Sequence, residues 1–100
     1  MSNPVTSSED IRWGILGPGR AAARFAQGLA GVPRARLEAV WGRDEQRAQD
    51  FARRFSVPQV FTSLAEFLAS PVEAVYVATH PDSHAELSIA ALKAGKHVLC

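Results

Sequence analysis

The sequence predicts an α/β fold, a doubly wound parallel sheet with helices on both faces. Three observations predict it. Short apolar runs alternate with segments of helical periodicity along the whole chain. The connections between them are short, as in sheets whose strands are joined by crossover helices. A glycine-rich string ends the first apolar run and opens the first helical segment.

Each element has its own justification. Residues 11–16 (Ile-Arg-Trp-Gly-Ile-Leu) form a short, mostly apolar run closed by glycine, which suits a buried strand. Ala22, Phe25, Ala26 and Leu29 then fall on one helical face, and Gly31 and Pro33 close that helix. Residues 35–41 read as a second strand. A helix over 44–55 follows, its apolar side Ala48, Phe51, Ala52 and Phe55, with Asp44 and Glu45 in the first turn where the helix dipole favours acids. Residues 59–61 make a third, short strand. Ser63 and Glu66 have the spacing of a capping box, and Leu64, Phe67 and Leu68 give the next short helix a buried side. Residues 73–78 alternate as a fourth strand, Val75 and Val77 on one face and Ala74, Tyr76 and Ala78 on the other. A helix over 82–94 is expected to turn Ala85, Ser88, Ile89 and Leu92 inward and to end at Gly95. Residues 97–100 begin a fifth strand, expected to be buried, with a structural role for His97.

Composition narrows the function. The chain has 100 residues, 47% of them hydrophobic and 21% charged, the balance of an ordinary globular domain. A net charge of +1, with the basic residues scattered, offers no field for nucleic acid or an anionic membrane. The one cysteine, Cys100, cannot form an internal disulfide. Residues 1–10 are polar and read as a flexible leader, with 11–100 the folded domain and the cytoplasm the expected compartment.

The string Gly17-Pro18-Gly19-Arg20-Ala21-Ala22 has the G-x-G-x-x-A form that receives the pyrophosphate of a dinucleotide, and its strand-to-helix context gives it meaning. The glycine at 17 permits a tight turn. The glycine at 19 lets a phosphate approach the backbone, and Ala22 lets helix and strand pack closely. A turn of the same form without a ligand is the alternative. This makes the predicted sheet a Rossmann-type one.

At the end of the second strand such folds discriminate between cofactors: an acid binds the ribose 2′-hydroxyl of NAD, and an arginine accepts the 2′-phosphate of NADP. Here the sequence is Trp41-Gly42-Arg43-Asp44, with Arg47 one helical turn beyond Arg43. Arg43 and Arg47 are therefore candidate phosphate ligands and NADP the favoured cofactor, NAD the second choice. A solvated arginine pair is the bland alternative. Asp44 is either the cap of the following helix or a ribose acid in a register shifted by two.

Residues 74–84 (Ala-Val-Tyr-Val-Ala-Thr-His-Pro-Asp-Ser-His) and 90–100 (Ala-Ala-Leu-Lys-Ala-Gly-Lys-His-Val-Leu-Cys), with the glycine loop and the Gly42-Arg43-Asp44 turn, resemble the Gfo/Idh/MocA oxidoreductases. The family carries V-x-x-T-P-x-x-x-H and then A-L-x-A-G-K-H-V-L-C-E-K-P. The likeness spans residues 11–100, and Ala-Gly-Lys-His-Val-Leu-Cys is its most specific part. It departs at His80, where the family has proline. The sequence stops before the Glu-Lys-Pro whose lysine lies by nicotinamide and substrate in the family.

The resemblance implies pyrophosphate contacts at Gly17, Gly19, Arg20 and Ala21. It implies adenosine-end contacts at Arg43 and Arg47, and contacts along the middle of the cofactor at Thr79, Pro81 and His84. It implies hydride transfer between a nicotinamide and a sugar, polyol or related compound, with the substrate held by a second domain. On this reading the sheet is truncated after its fifth strand, the natural chain runs on past Cys100, and these 100 residues alone are inert. Val98 and Leu99 are then expected on an unprotected edge that favours self-association into a homo-oligomer. His84 is either an acid–base group or, in the first turn of a helix, a packing residue. His80 and His84 lack the carboxylates or cysteines that would complete a metal site. A sensory module without catalysis on the same fold is the alternative function.

Overall fold

Every apolar run forms a strand and every periodic segment a helix. The computed structural model describes residues 10–100; the expected leader, apart from its last residue, lies outside them. The elements are β1 (Ile11–Leu16), α1 (Arg20–Leu29), β2 (Ala35–Trp41), α2 (Glu45–Phe55), β3 (Gln59–Phe61), α3 (Leu64–Leu68), β4 (Ala74–Val77), α4 (Pro81–Lys93) and β5 (His97–Leu99). The strands are all parallel, in the order β3-β2-β1-β4-β5. The chain proceeds one way from β1 to β3 and the other way through β4 to β5, so the order reverses between β1 and β4. At such a switch point the loops leaving the strands diverge and open a crevice at the carboxyl ends.

Side-chain alternation distributes the core between two layers. Ile15, Val40 and Tyr76 face α1 and α2, where they meet Ala22, Ala26, Phe51 and Ala52. Leu16, Trp41, Val75 and Val77 face the other way, toward Phe67 of α3 and Leu87 of α4. Ile15, Leu16 and Phe67 are fully buried, each contributing about 1.5–3 kcal/mol of hydrophobic stabilisation.

A bulge in β2 makes the alternation work. Trp13 pairs with Leu37 but Gly14 pairs with Ala39, leaving Glu38 as an extra residue. Leu37 therefore packs on the α1–α2 side and Ala39 on the other. Glu38 itself meets Arg36 at 3.3 Å.

Gly14 is a glycine for reasons of space. A Cβ there would lie 2.5 Å from Phe67 Cζ and 2.9 Å from Cε2.

Two expectations need correction. The inward residues of α4 are Leu87 and Ala91, whereas Ile89 and Leu92 are 52% and 59% exposed and Ala85 is exposed. Apolar residues surround most of this helix, so spacing alone cannot choose the stripe. The choice is made by docking on the sheet, where Leu87 packs with Val75 and Val77. Pro81 occupies its first turn, and at its last turn Gly95 (φ 82°) donates to the Leu92 carbonyl and Lys96 to that of Ala91. β5, read as buried, is an edge strand among the described residues. Its His97 is exposed and Leu99 is 47% exposed, while Val98, expected at the bare edge, packs against the α3–α4 cluster.

The amino ends of the strands are held by two charged side chains. Lys96 Nζ donates to the carbonyls of Ser70 (2.8 Å) and Val72 (2.7 Å), and burial lowers its pKa. That is a structural use for the lysine in Ala-Gly-Lys-His. Glu73 accepts the Arg12 backbone N–H at 3.0 Å while its own backbone N–H donates to the Arg12 carbonyl at 2.8 Å. Its carboxyl pKa is lowered, first by that backbone hydrogen bond and further by the Arg12 charge, against an opposing desolvation.

Two predictions follow from this packing. Gly14→Ala forces the Phe67 ring from its place and destabilises the domain by about 1–3 kcal/mol, read as a shift in urea midpoint. An unchanged midpoint would show that α3 yields freely. Glu73 has its pKa depressed in the folded state, so its ionic contribution is present above the unfolded value of 4.5 and is lost as pH falls through the folded one. The native chain is therefore more stable than Glu73→Gln at pH 7, and the difference shrinks below pH 4.5. A gap constant with pH would contradict this.

Candidate functional site

Three turns meet at the carboxyl ends of β1, β2 and β4. In the first, Gly17 has φ 101°, a left-handed conformation that glycine adopts without strain. A Cβ there would also strike Thr79 Cγ2 at 2.7 Å. The Gly17 N–H donates to the Trp41 carbonyl at 2.8 Å, which ties the loop to β2.

Gly19 is the N-cap of α1. It makes no side-chain cap bond, and no acid stands in the first turn. The leading N–H groups of a helix have no partner within it, and they carry the positive end of the dipole. A Cβ on Gly19 would meet nothing within 4 Å, so the approach to these donors is open.

The second turn carries the charges. Asp44 caps α2, its Oδ1 accepting the Arg47 N–H at 3.2 Å, which supports the cap reading of this residue. The Arg43 guanidinium lies 5.8 Å from the Trp41 ring centroid, within cation–π range. Trp41 is fixed in turn by Nε1 donating to the Thr62 carbonyl at 3.0 Å. Arg47 Nη2 reaches across to the Pro18 carbonyl at 3.4 Å.

In the third turn the Ala78 N–H donates to the Leu16 carbonyl at 2.9 Å, continuing the β1–β4 pairing to the rim. Thr79 follows. Its Oγ1 is buried and has no hydrogen-bond partner among the described residues, a costly state for a hydroxyl unless a ligand completes it.

Between the turns lies a cleft of about 380 Å³, bordered by Pro18 and Gly19, by Trp41, Arg43, Asp44 and Arg47, and by Ala78, Thr79, His80 and Ser83. Of the residues singled out from sequence, Gly19, Arg43, Arg47 and Thr79 share it, and Gly17 packs beneath Thr79. Arg20 and Ala21 stand at the start of α1 and border a neighbouring depression with Arg24, Phe25 and Tyr76. Pro81 is exposed and His84 half-buried in the first turn of α4, outside the lining of the cleft.

Sequence reasoning missed Trp41 and Pro18 as lining residues. An aromatic ending a strand beside arginine was the available signal for the first. Another hollow, about 320 Å³, lies at the far end of the sheet between Leu29, Arg36 and Phe55. It is remote from the three turns and from the unsatisfied Thr79 hydroxyl.

An open helix N-terminus, two arginines and an unsatisfied hydroxyl together fit an extended phosphate-bearing ligand, and comparison with known proteins agrees. The chain is 38% identical over 93 residues to trans-1,2-dihydrobenzene-1,2-diol dehydrogenase of Mus musculus, a match covering 90% of this chain and 28% of that enzyme. Its fold superposes on a 3-ketoreductase from Actinomadura kijaniata in complex with TDP-benzene and NADP (TM-score 0.82, 36% identity, 90% of this chain and 29% of the other). It also superposes on scyllo-inositol dehydrogenase from Lactobacillus casei with bound NAD(H) and scyllo-inositol (TM-score 0.80, 26% identity, 89% and 27%). The chain thus spans little more than a quarter of the length of these relatives. The model of the Gfo/Idh/MocA oxidoreductase family, NAD-binding Rossmann fold, matches residues 11–100, and with the cleft at its expected place this chain belongs to that family as its nicotinamide-dinucleotide-binding domain.

Proposed function

We propose that the chain is the cofactor-binding part of an oxidoreductase that prefers NADP to NAD. The observation that carries this is the β2–α2 turn: Gly42 presents no carboxylate, the nearest acid is engaged in capping α2, and Arg43 and Arg47 border the same cleft. A guanidinium has five donors, so Arg47 keeps several for a phosphate after its bond to Pro18. Arg43, supported on the Trp41 face, presents a planar fork suited to two phosphate oxygens.

The first-turn N–H groups of α1, at Arg20 and Ala21, with the glycines at 17 and 19, hold the pyrophosphate. Thr79 Oγ1 gains its missing partner from the middle of the cofactor, with Pro81 and His84 beside it. His84 serves packing and orientation here. The nicotinamide supplies hydride chemistry when bound, and the protein supplies orientation. The substrate of the whole protein is a sugar, polyol or related hydroxy or carbonyl compound, held by parts beyond this chain. The names of the relatives support that class.

Calorimetric titration of the chain with the two dinucleotides tests the preference. A charge-assisted contact of this kind is worth roughly 1.5–3 kcal/mol, so NADP binds about one to two decades more tightly than NAD. Arg43→Asp abolishes or reverses the preference, and raising the salt weakens it, because both arginines are exposed. Equal affinities, or tighter binding of NAD, would make Asp44 the ribose ligand and overturn the reading.

A further inference from the structure

The glycine loop and the β2–α2 turn are packed against one another as well as facing one cleft. A Cβ on Gly42 would lie 3.0 Å from Pro18 Cδ, 3.2 Å from Pro18 Cγ and 3.3 Å from the Cβ of Ala48. Gly42 has no left-handed φ that would require glycine. It is buried, and what its position demands is space.

The neighbours are not free to retreat. Pro18 is a rigid ring. It is flanked by the Gly17 N–H bond to the Trp41 carbonyl at 2.8 Å, and its own carbonyl accepts from Arg47 at 3.4 Å. Ala48, in the first turns of α2, is fully buried. Gly42 itself is anchored by its N–H on the Phe61 carbonyl at 3.1 Å.

We propose that Pro18 is a specificity-determining residue for the cofactor: its ring fills the space a side chain at position 42 would need, so that an acidic ligand for a ribose 2′-hydroxyl is excluded from the end of β2 by the residue in the glycine loop. Discrimination against NAD then belongs to the pair Pro18–Gly42 together with the arginines, and position 42 cannot be exchanged independently of position 18. The inference rests on the dinucleotide reading above. It adds a coupling between two turns that lie more than twenty positions apart in sequence.

The test is a double-mutant cycle on the full chain with Pro18→Ala, Gly42→Asp and the double variant. Alanine at 18 removes the two ring atoms that crowd position 42. Affinities for NAD and NADP are measured by calorimetry and melting temperatures by calorimetric scanning. Gly42→Ala, which adds the Cβ without charge, is melted in both backgrounds in case the aspartate variant folds poorly.

Gly42→Asp alone is expected to lower the melting temperature and weaken NADP binding without improving that of NAD. The double variant regains melting temperature and binds NAD about tenfold more tightly than Gly42→Asp does. If Gly42→Asp alone binds NAD as well as the double variant, or if either substitution at 42 costs the same melting temperature in both backgrounds, the inference is overturned. Coupled melting with no gain of NAD affinity in the double variant reduces the pair to packing and overturns its role in specificity. A native chain that binds neither dinucleotide overturns the underlying reading as well. Tight NADP binding by the native chain with uncoupled variants overturns this inference alone.

Discussion

The close approach of Gly17 to Thr79 is the constraint on which the cleft depends. The carboxyl ends of β1 and β4 sit side by side at the point where strand order reverses. Only a residue without a Cβ lets the two chains pass at this distance, since one would stand 2.7 Å from Thr79 Cγ2. The same residue donates its N–H to Trp41, so a single glycine locks the turns after β1, β2 and β4 into one rim. The open N-terminus of α1, Arg43 and Arg47 at the start of α2, and the Thr79 hydroxyl are brought together as a consequence.

The electrostatics of that rim are one-sided by construction. Capping acids commonly neutralise the positive end of a helix. α1 has neither a capping side chain nor a first-turn acid, whereas α2, in the same rim, has both Asp44 and Glu45. The difference separates a helix end kept for a ligand from one completed by the protein. Asp44 caps α2 and places Arg43 and Arg47 on either side of itself, so an acid at the mouth of the cleft helps to order the cations rather than cancel them.

Stability is secured at the other end of the sheet. Glu73 and Lys96 join β1, the segment before β4 and the start of β5 through backbone groups of Arg12, Ser70 and Val72. Hydrogen bonds from charged groups are among the stronger ones. They lie at the amino ends of the strands, and the carboxyl ends stay free to carry glycine, small residues and an unsatisfied hydroxyl. Relatives with NADP and with NAD(H) share the scaffold, which accords with recognition residing in the rim.

Much of this was legible in the amino-acid order. Strand limits at Ala35–Trp41 and Gln59–Phe61, the caps at Asp44 and Ser63, the turn at Gly17 and the helix stop at Gly95 all follow from neighbours within a few positions, where periodicity and capping chemistry act. What tertiary structure alone decided involves residues distant in the chain. The Glu38 bulge sets which face Leu37 and Ala39 take. The docking of α4, whose apolar residues are spread around the helix, buries Leu87 and Ala91 and leaves Ile89 and Leu92 in solvent. Pro18 meets Gly42, and Arg47 reaches Pro18, across two separate turns. Local pattern states which residues prefer burial or a turn, but the partner of each is selected by strand register and helix rotation, and these are determined only when the whole sheet is assembled.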